Sequence, residues 1–291
     1  MRCGLAWECP VCRSVIQSER AGEVLHAVEW HRARKGQAYL VTLTIRHGLG
    51  HNLREMRKGV ALAWRKVQAG RAWLEWKERA GVIGTVRALE VTHGHENGWH
   101  PHIHVLVLGD RANAREMESW RAHLSARWQV AVESTLGREH VPTDRRGCDI
   151  RPSRKADYLT KLGLEIAGSA AKDGRKKNRS PLQIAEHFVR TDNVDSALLW
   201  RRYAEQMHGA RMLTWSRGLR ALVGLDVERT DDEIVNDDTA VEFVAVLPAA
   251  VWDQLARVKE GPLRVLFAVE RYGADAARRL CFALIAGRAP P

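Results

Sequence analysis

The chain has 291 residues, 45% of them apolar, with 46 Lys+Arg against 35 Asp+Glu and a formal charge of +11. That is enough apolar material for a real core, which excludes a disordered or fibrous chain. No stretch approaches 18 uncharged apolar residues and no apolar signal core follows Met1, so a soluble, intracellular protein without membrane contact is expected.

In chain order, Cys3, Cys9 and Cys12 come first, the last two as Cys-Pro-Val-Cys. A tight turn of this kind aims two thiolates at one ion, so the cluster suggests a structural Zn²⁺ knuckle. The fourth ligand stays open between His26 and His31, both on an amphipathic helix expected over roughly 13–35. Cys148 and Cys281 are isolated and read as small buried hydrophobes. Residues 39–45 form a β-branched strand, and 53–80 read as one long helix with Trp64, Trp73 and Trp76 among basic positions. Strands over 83–92 and 100–108 flank a loop ending in Asn97-Gly98, a hairpin signal.

A helix over 113–134 and a short strand at 148–151 follow. Pro152-Ser153 then cap a helix to about residue 167. Residues 172–179 read as a basic, flexible link, and helices follow near 181–190 and 194–208. An acidic linker covers 226–242, and a strand plus helices close the chain. The order β-α-β-β-α-β is the ferredoxin-like, RRM-like arrangement: an α+β fold whose antiparallel sheet has helices on one face and leaves the other free. Four parts are expected: a zinc knuckle and helix (1–36), the sheet core (37–170), a basic helical extension (171–225) and a small α/β appendage (226–291).

Five of the thirteen histidines fall between His93 and His104. On a strand, His100, His102 and His104 point to one face, while Ile103, Val105 and Val107 point to the other. If the hairpin is centred on Glu96, Glu90 lies across from His102. One carboxylate and two imidazoles then form an open N/O site for a divalent ion. His100 is open between a ligand, a DNA contact and neither; His93 and His95 read as loop residues. On the later helix, Arg154, Tyr158, Lys161 and Glu165 share a stripe. A phenol titrates near 10 and needs nearby positive charge to act as a nucleophile, which Lys161 could supply.

Together these residues resemble the replication initiators of small rolling-circle plasmids, within the HUH endonuclease superfamily. The carriers are His102-Ile103-His104 inside Trp99–Leu106, Cys-Pro-Val-Cys, Leu40-Val41-Thr42-Leu43-Thr44, Tyr158-Leu159-Thr160-Lys161, Ser180-Pro181-Leu182 and Leu213–Arg220. The resemblance implies a nuclease that cuts single-stranded or hairpin origin DNA in the bacterial cytoplasm. Tyr158 is then the nucleophile, assisted by Lys161, and His102, His104 and Glu90 hold Mg²⁺ or Mn²⁺. Arg154, Lys155, Arg175, Lys176, Lys177 and Arg179 are candidate DNA contacts. A host helicase, a host polymerase and a dimer are implied partners.

One departure is that Arg154 stands where several relatives carry a glutamate, so termination falls to another group, such as a second copy's Tyr158. The rival readings are a single-tyrosine transposase or relaxase, a metal-dependent hydrolase, and a non-catalytic zinc and DNA-binding protein. The charge agrees with a polyanion partner: residues 1–220 carry +15 and residues 221–291 carry −4.

Overall fold

Alternation of apolar residues with Thr and Tyr makes β1 (Gln37–Leu43) a central strand, hydrogen-bonded on both edges. The structure, a computed structural model, describes residues 3–153, 178–237, 249–258 and 261–287. Around β1 are α1 (Pro10–Ala33), α2 (Leu53–Val67), α3 (Arg71–Arg79), β2 (Gly84–Gly94), β3 (Gly98–Gly109), α4 (Ala114–Leu136), α5 (Asp144–Gly147) and β4 (Cys148–Pro152). The strand order β4-β1-β3-β2, antiparallel throughout, is the expected ferredoxin-like topology.

The long helix expected over 53–80 is interrupted. Gly70 adopts φ 81°, a left-handed value that L residues avoid, and it splits the segment into α2 and α3. The break lets three indoles cluster, with Trp64 and Trp73 ring centroids 5.7 Å apart and Trp73 and Trp76 4.9 Å apart. These helices and α4 cover the face bearing Val41, Leu43, Ile103, Val105 and Val107. Trp128 of α4 is fully buried there and donates from Nε1 to the Thr44 carbonyl at 2.7 Å. Truncating such an anchor to alanine costs about 3–5 kcal/mol.

The helices do not keep to one face. Leu106 and Leu108 continue the histidine row as apolar residues and need cover. Val24, Ala27 and Val28 of α1 supply it, together with Leu213, Leu219 and Val223. Among the described residues, the apolar part of the second face is therefore covered.

Two short strands extend the sheet beyond the expected four. Asn178–Arg179 (β5) pairs with the end of β2, and Leu213–Trp215 (β6) pairs with Val86–Ala88. Part of the expected flexible link is thus strand. Between β5 and β6 lie α6 (Pro181–Thr191) and α7 (Val194–Met207), close to their expected places. Two short helices follow, α8 (Leu219–Leu222) and α9 (Asp231–Val235).

The acidic stretch from Asp226 is likewise not all linker. Thr230 caps α9 with Glu233 reaching back, and Arg20 of α1 meets Glu228 at 3.6 Å and Asp231 at 3.3 Å. Contacts divide the chain into two units, residues 1–236 and 237–291, so the segments expected as knuckle, core and extension share one unit. In the second unit α10 (Ala249–Arg257) and α11 (Gly261–Ile285) surround Leu255, Val265, Ala277 and Cys281. The closing strand expected there is not among the described residues. None of the described helices is long and apolar enough to cross a membrane.

Candidate metal centre and nuclease site

The hairpin turns more tightly than expected. Gly94 pairs with Gly98, so His93 belongs to β2 opposite Trp99, and only His95 remains in the turn. Gly98 takes φ 68°, and a Cβ there would lie 3.0 Å from the Gly48 carbonyl, so this position requires glycine. The resulting register puts Glu90 opposite His102, Ala88 opposite His104, and Thr42 of β1 on the other side of His104.

These side chains converge. One carboxylate oxygen, Glu90 Oε2, lies 2.8 Å from His102 Nε2 and 2.6 Å from His104 Nε2. Each imidazole is oriented from behind: His104 Nδ1 is 3.1 Å from Thr42 Oγ1, and His102 Nδ1 is 3.4 Å from the His100 carbonyl. Without an ion, both Nε2 atoms donate to Glu90; a shift of each proton to Nδ1, which these oxygens can accept, would free the Nε2 lone pairs for a metal. Burial alone would raise the Glu90 pKa. The His102 charge and hydrogen bonds from both rings hold it well below the usual carboxylate range instead. An ionised carboxylate and two Nε2 atoms, all within 4.8 Å of one another, suit a divalent cation of intermediate hardness.

His100 shares the face but not the cluster. Its ring is stacked between His47 (4.3 Å) and His102 (4.8 Å). Burial, with the charges of His102 and His47, pushes its pKa down to about 3, so it is neutral at physiological pH. His47, which the sequence did not single out, is tied to the hairpin tip by a 2.8 Å contact from Nδ1 to the Asn97 carbonyl. Arg179, in β5, pairs with His93 beside the same tip. Tyr158, Lys161, Arg154, Lys155, Arg175, Lys176 and Lys177 lie outside the described residues.

The three amino-terminal thiols also come together, with Sγ atoms within 4.8 Å and Cys3 to Cys12 at 3.6 Å. Pro10 starts α1, which leaves Cys9 as its N-cap and Cys12 in its first turn. The backbone N–H of Cys12 lowers the Cys9 pKa, as a helix start does for a thiolate.

Neither expected fourth ligand is present there, because α1 runs straight away from the thiols. At 1.5 Å per residue, His26 is about 20 Å along the helix from Cys12. His26 instead contacts the Val223 carbonyl at 2.9 Å, and buried His31 contacts the Gly109 carbonyl at 2.8 Å. Among the described residues no fourth His, Cys, Asp or Glu joins the set. Cys148 and Cys281 are buried, as expected.

Comparison with known proteins adds to this geometry. A family model described as "Replication protein" matches residues 3–254. A protein named Protein rep from Streptomyces lividans is 28% identical, over 99% of this chain and 75% of its own length. Another Protein rep, from Lentilactobacillus hilgardii, is 31% identical over 84% of this chain and 74% of its own. A solved structure of the nuclease domain of minute virus of mice non-structural protein-1 aligns over 54% of this chain and 77% of that one. Its TM-score of 0.22 and identity of 12% are too slight to carry fold or metal across.

Proposed function

Because the chain belongs to the replication-protein family, we propose that it initiates rolling-circle plasmid replication as a site-specific single-stranded DNA endonuclease and strand transferase. The observation that carries this reading is the Glu90 oxygen within 2.8 Å of both histidine Nε2 atoms. Glu90, His102 and His104 would hold Mg²⁺ or Mn²⁺, which when bound polarises the scissile phosphate and offsets charge on the in-line transition state.

The chain's own residues do the rest. Tyr158 Oη gives up its proton to solvent and attacks the phosphorus, the bond from phosphorus to O3′ breaks, and the departing O3′ takes up a proton from solvent. A 5′-phosphotyrosine and a free 3′-OH primer result. Tyr158 exchanges one ester for another, so a later 3′-OH can reverse the step and join strands. Lys161 lowers the cost of ionising the phenol or grips the phosphate, and Thr42 holds His104 in the required tautomer.

Ser153, five residues before Tyr158, donates its backbone N–H to the Ala38 carbonyl at 2.8 Å, four positions from Thr42, or about 13 Å along the strand. Arg154, Lys155, Arg175, Lys176, Lys177 and Arg179 would contact the phosphates of the cut strand. The three cysteines would hold a structural Zn²⁺ that fixes the start of α1.

The test is cleavage of a labelled single-stranded origin oligonucleotide with Mn²⁺. Wild type cuts and becomes covalently attached, whereas Tyr158→Phe does neither. Cutting by Tyr158→Phe at the wild-type site would show that another group is the nucleophile.

A further inference from the structure

Behind the sheet lies a second cationic site. Arg87 and Glu90 are three positions apart on β2, so their side chains leave opposite faces. Arg87 lines a cavity of about 850 Å³, bordered by Lys58 and Arg65 of α2 and by Arg211 after α7. Its Nη2 donates to Thr214 Oγ1 at 2.9 Å, but its Nε is buried with no partner among the described residues. Burial, then the positive charges of Arg65 and Arg211, hold Arg87 below the ordinary guanidinium pKa.

Glu55 and Glu139 also line the cavity, yet neither forms an ion pair with these arginines among the described residues. Arg54 and Arg57 differ, because they donate to the carbonyls of Glu205, Gln206 and His208 at the end of α7. Three guanidiniums gathered without an ion pair among the described residues repel one another, and the half-buried one keeps an unmet donor. An anion with several acceptor oxygens relieves both, and phosphate matches the guanidinium fork.

Among the described residues the lining has no Trp, Tyr or Phe on which a base could stack, and its imidazoles, His51 and His140, are 4.4 Å from each other. The chemistry therefore fits backbone phosphates rather than a nucleotide's base. We propose that this cavity binds the phosphodiester backbone of a duplex DNA segment, separate from the strand cut at the histidine face. That DNA is the polyanion rests on the function proposed above; the anion site itself rests on Arg65, Arg87 and Arg211.

The test uses the full chain without added Mg²⁺ or Mn²⁺ and with a fluorescein-labelled duplex of random sequence, followed by anisotropy across a salt series. Arg65→Glu/Arg211→Glu is expected to bind about tenfold or more weakly, with a log K against log salt slope shallower by about two. Arg65→Lys/Arg211→Lys keeps most of the salt dependence. Single-stranded oligonucleotide cleavage with Mn²⁺, measured in parallel, is unchanged in the glutamate variant.

Unchanged duplex affinity and salt slope in the glutamate variant overturn the proposal. So does ATP, used as probe, binding wild type but not the variant while duplex affinity is unaltered, since the cavity is then a nucleotide pocket. If wild type fails to cut single strands while its duplex binding still depends on Arg65 and Arg211, the nuclease reading falls and the duplex site stands.

Discussion

Thr42→Val isolates the orientation of His104 from its ability to bind metal. The substitution keeps the β-branch that suits a central strand and removes only the hydroxyl. At 3.1 Å from His104 Nδ1 the contact is within hydrogen-bond range but not short. Such a bond contributes about 1 kcal/mol net, and losing the partner behind a metal-binding histidine costs about 10–100-fold in metal affinity. Thr42 is only half-buried, so water can replace the hydroxyl in part and the low end applies, about tenfold or ~1.4 kcal/mol. In a Mn²⁺ titration of oligonucleotide cleavage, the half-saturating concentration rises about tenfold while the rate at saturation stays within about twofold. Thr42→Ser restores the wild-type value. An unchanged Mn²⁺ requirement in Thr42→Val, or equal impairment by valine and serine, would refute the reasoning.

The other expectations concern the cysteines and acid stability. Purified protein should carry one zinc per chain by elemental analysis, and Cys9→Ser should lose it; full zinc content in Cys9→Ser would contradict the three-thiol site. Burial pushes the Cys148 thiol up to about 12, so at pH 8 it should not react with a disulfide reagent until the protein is unfolded. Rapid labelling of Cys148 in the folded chain would show that its burial is wrong. His100, at about 3 in the fold against about 6.5 when unfolded, binds its proton more readily in the unfolded chain. Stability from this group is fully present above pH 6.5 and is lost as pH falls toward 3. Urea unfolding of His100→Gln should therefore show a shallower decline between pH 6 and 4 than wild type, and parallel declines would remove His100 as a cause.

The histidine hairpin was legible because strand register is local and has a period of two. Glu90 and His102 are equidistant from Glu96, and that symmetry is the register found. The β-α-β-β-α-β order was readable for the same reason. What escaped depends on partners distant in sequence. His31 resembles a ligand on paper, but its acceptor is the Gly109 carbonyl, 78 residues away. The two residues of β5 and the three of β6 are too few to show a period. Arg65 on its own reads as part of a solvated helix face, and only the β2–β6 pairing brings Arg87 and Arg211 toward it. Thr42 lay in a recognised strand motif, but its role needed the β1–β3 register. His47 carried no sequence signal at all.

The most direct test of the central claim is to trap the covalent product with Mn²⁺ and locate the attached nucleotide by peptide mass spectrometry. A 5′-phosphate ester on the peptide containing Tyr158 is expected, with none formed when Glu90, His102 or His104 is replaced by alanine. Attachment at any other residue, or an adduct that forms equally well without those three side chains, would contradict it.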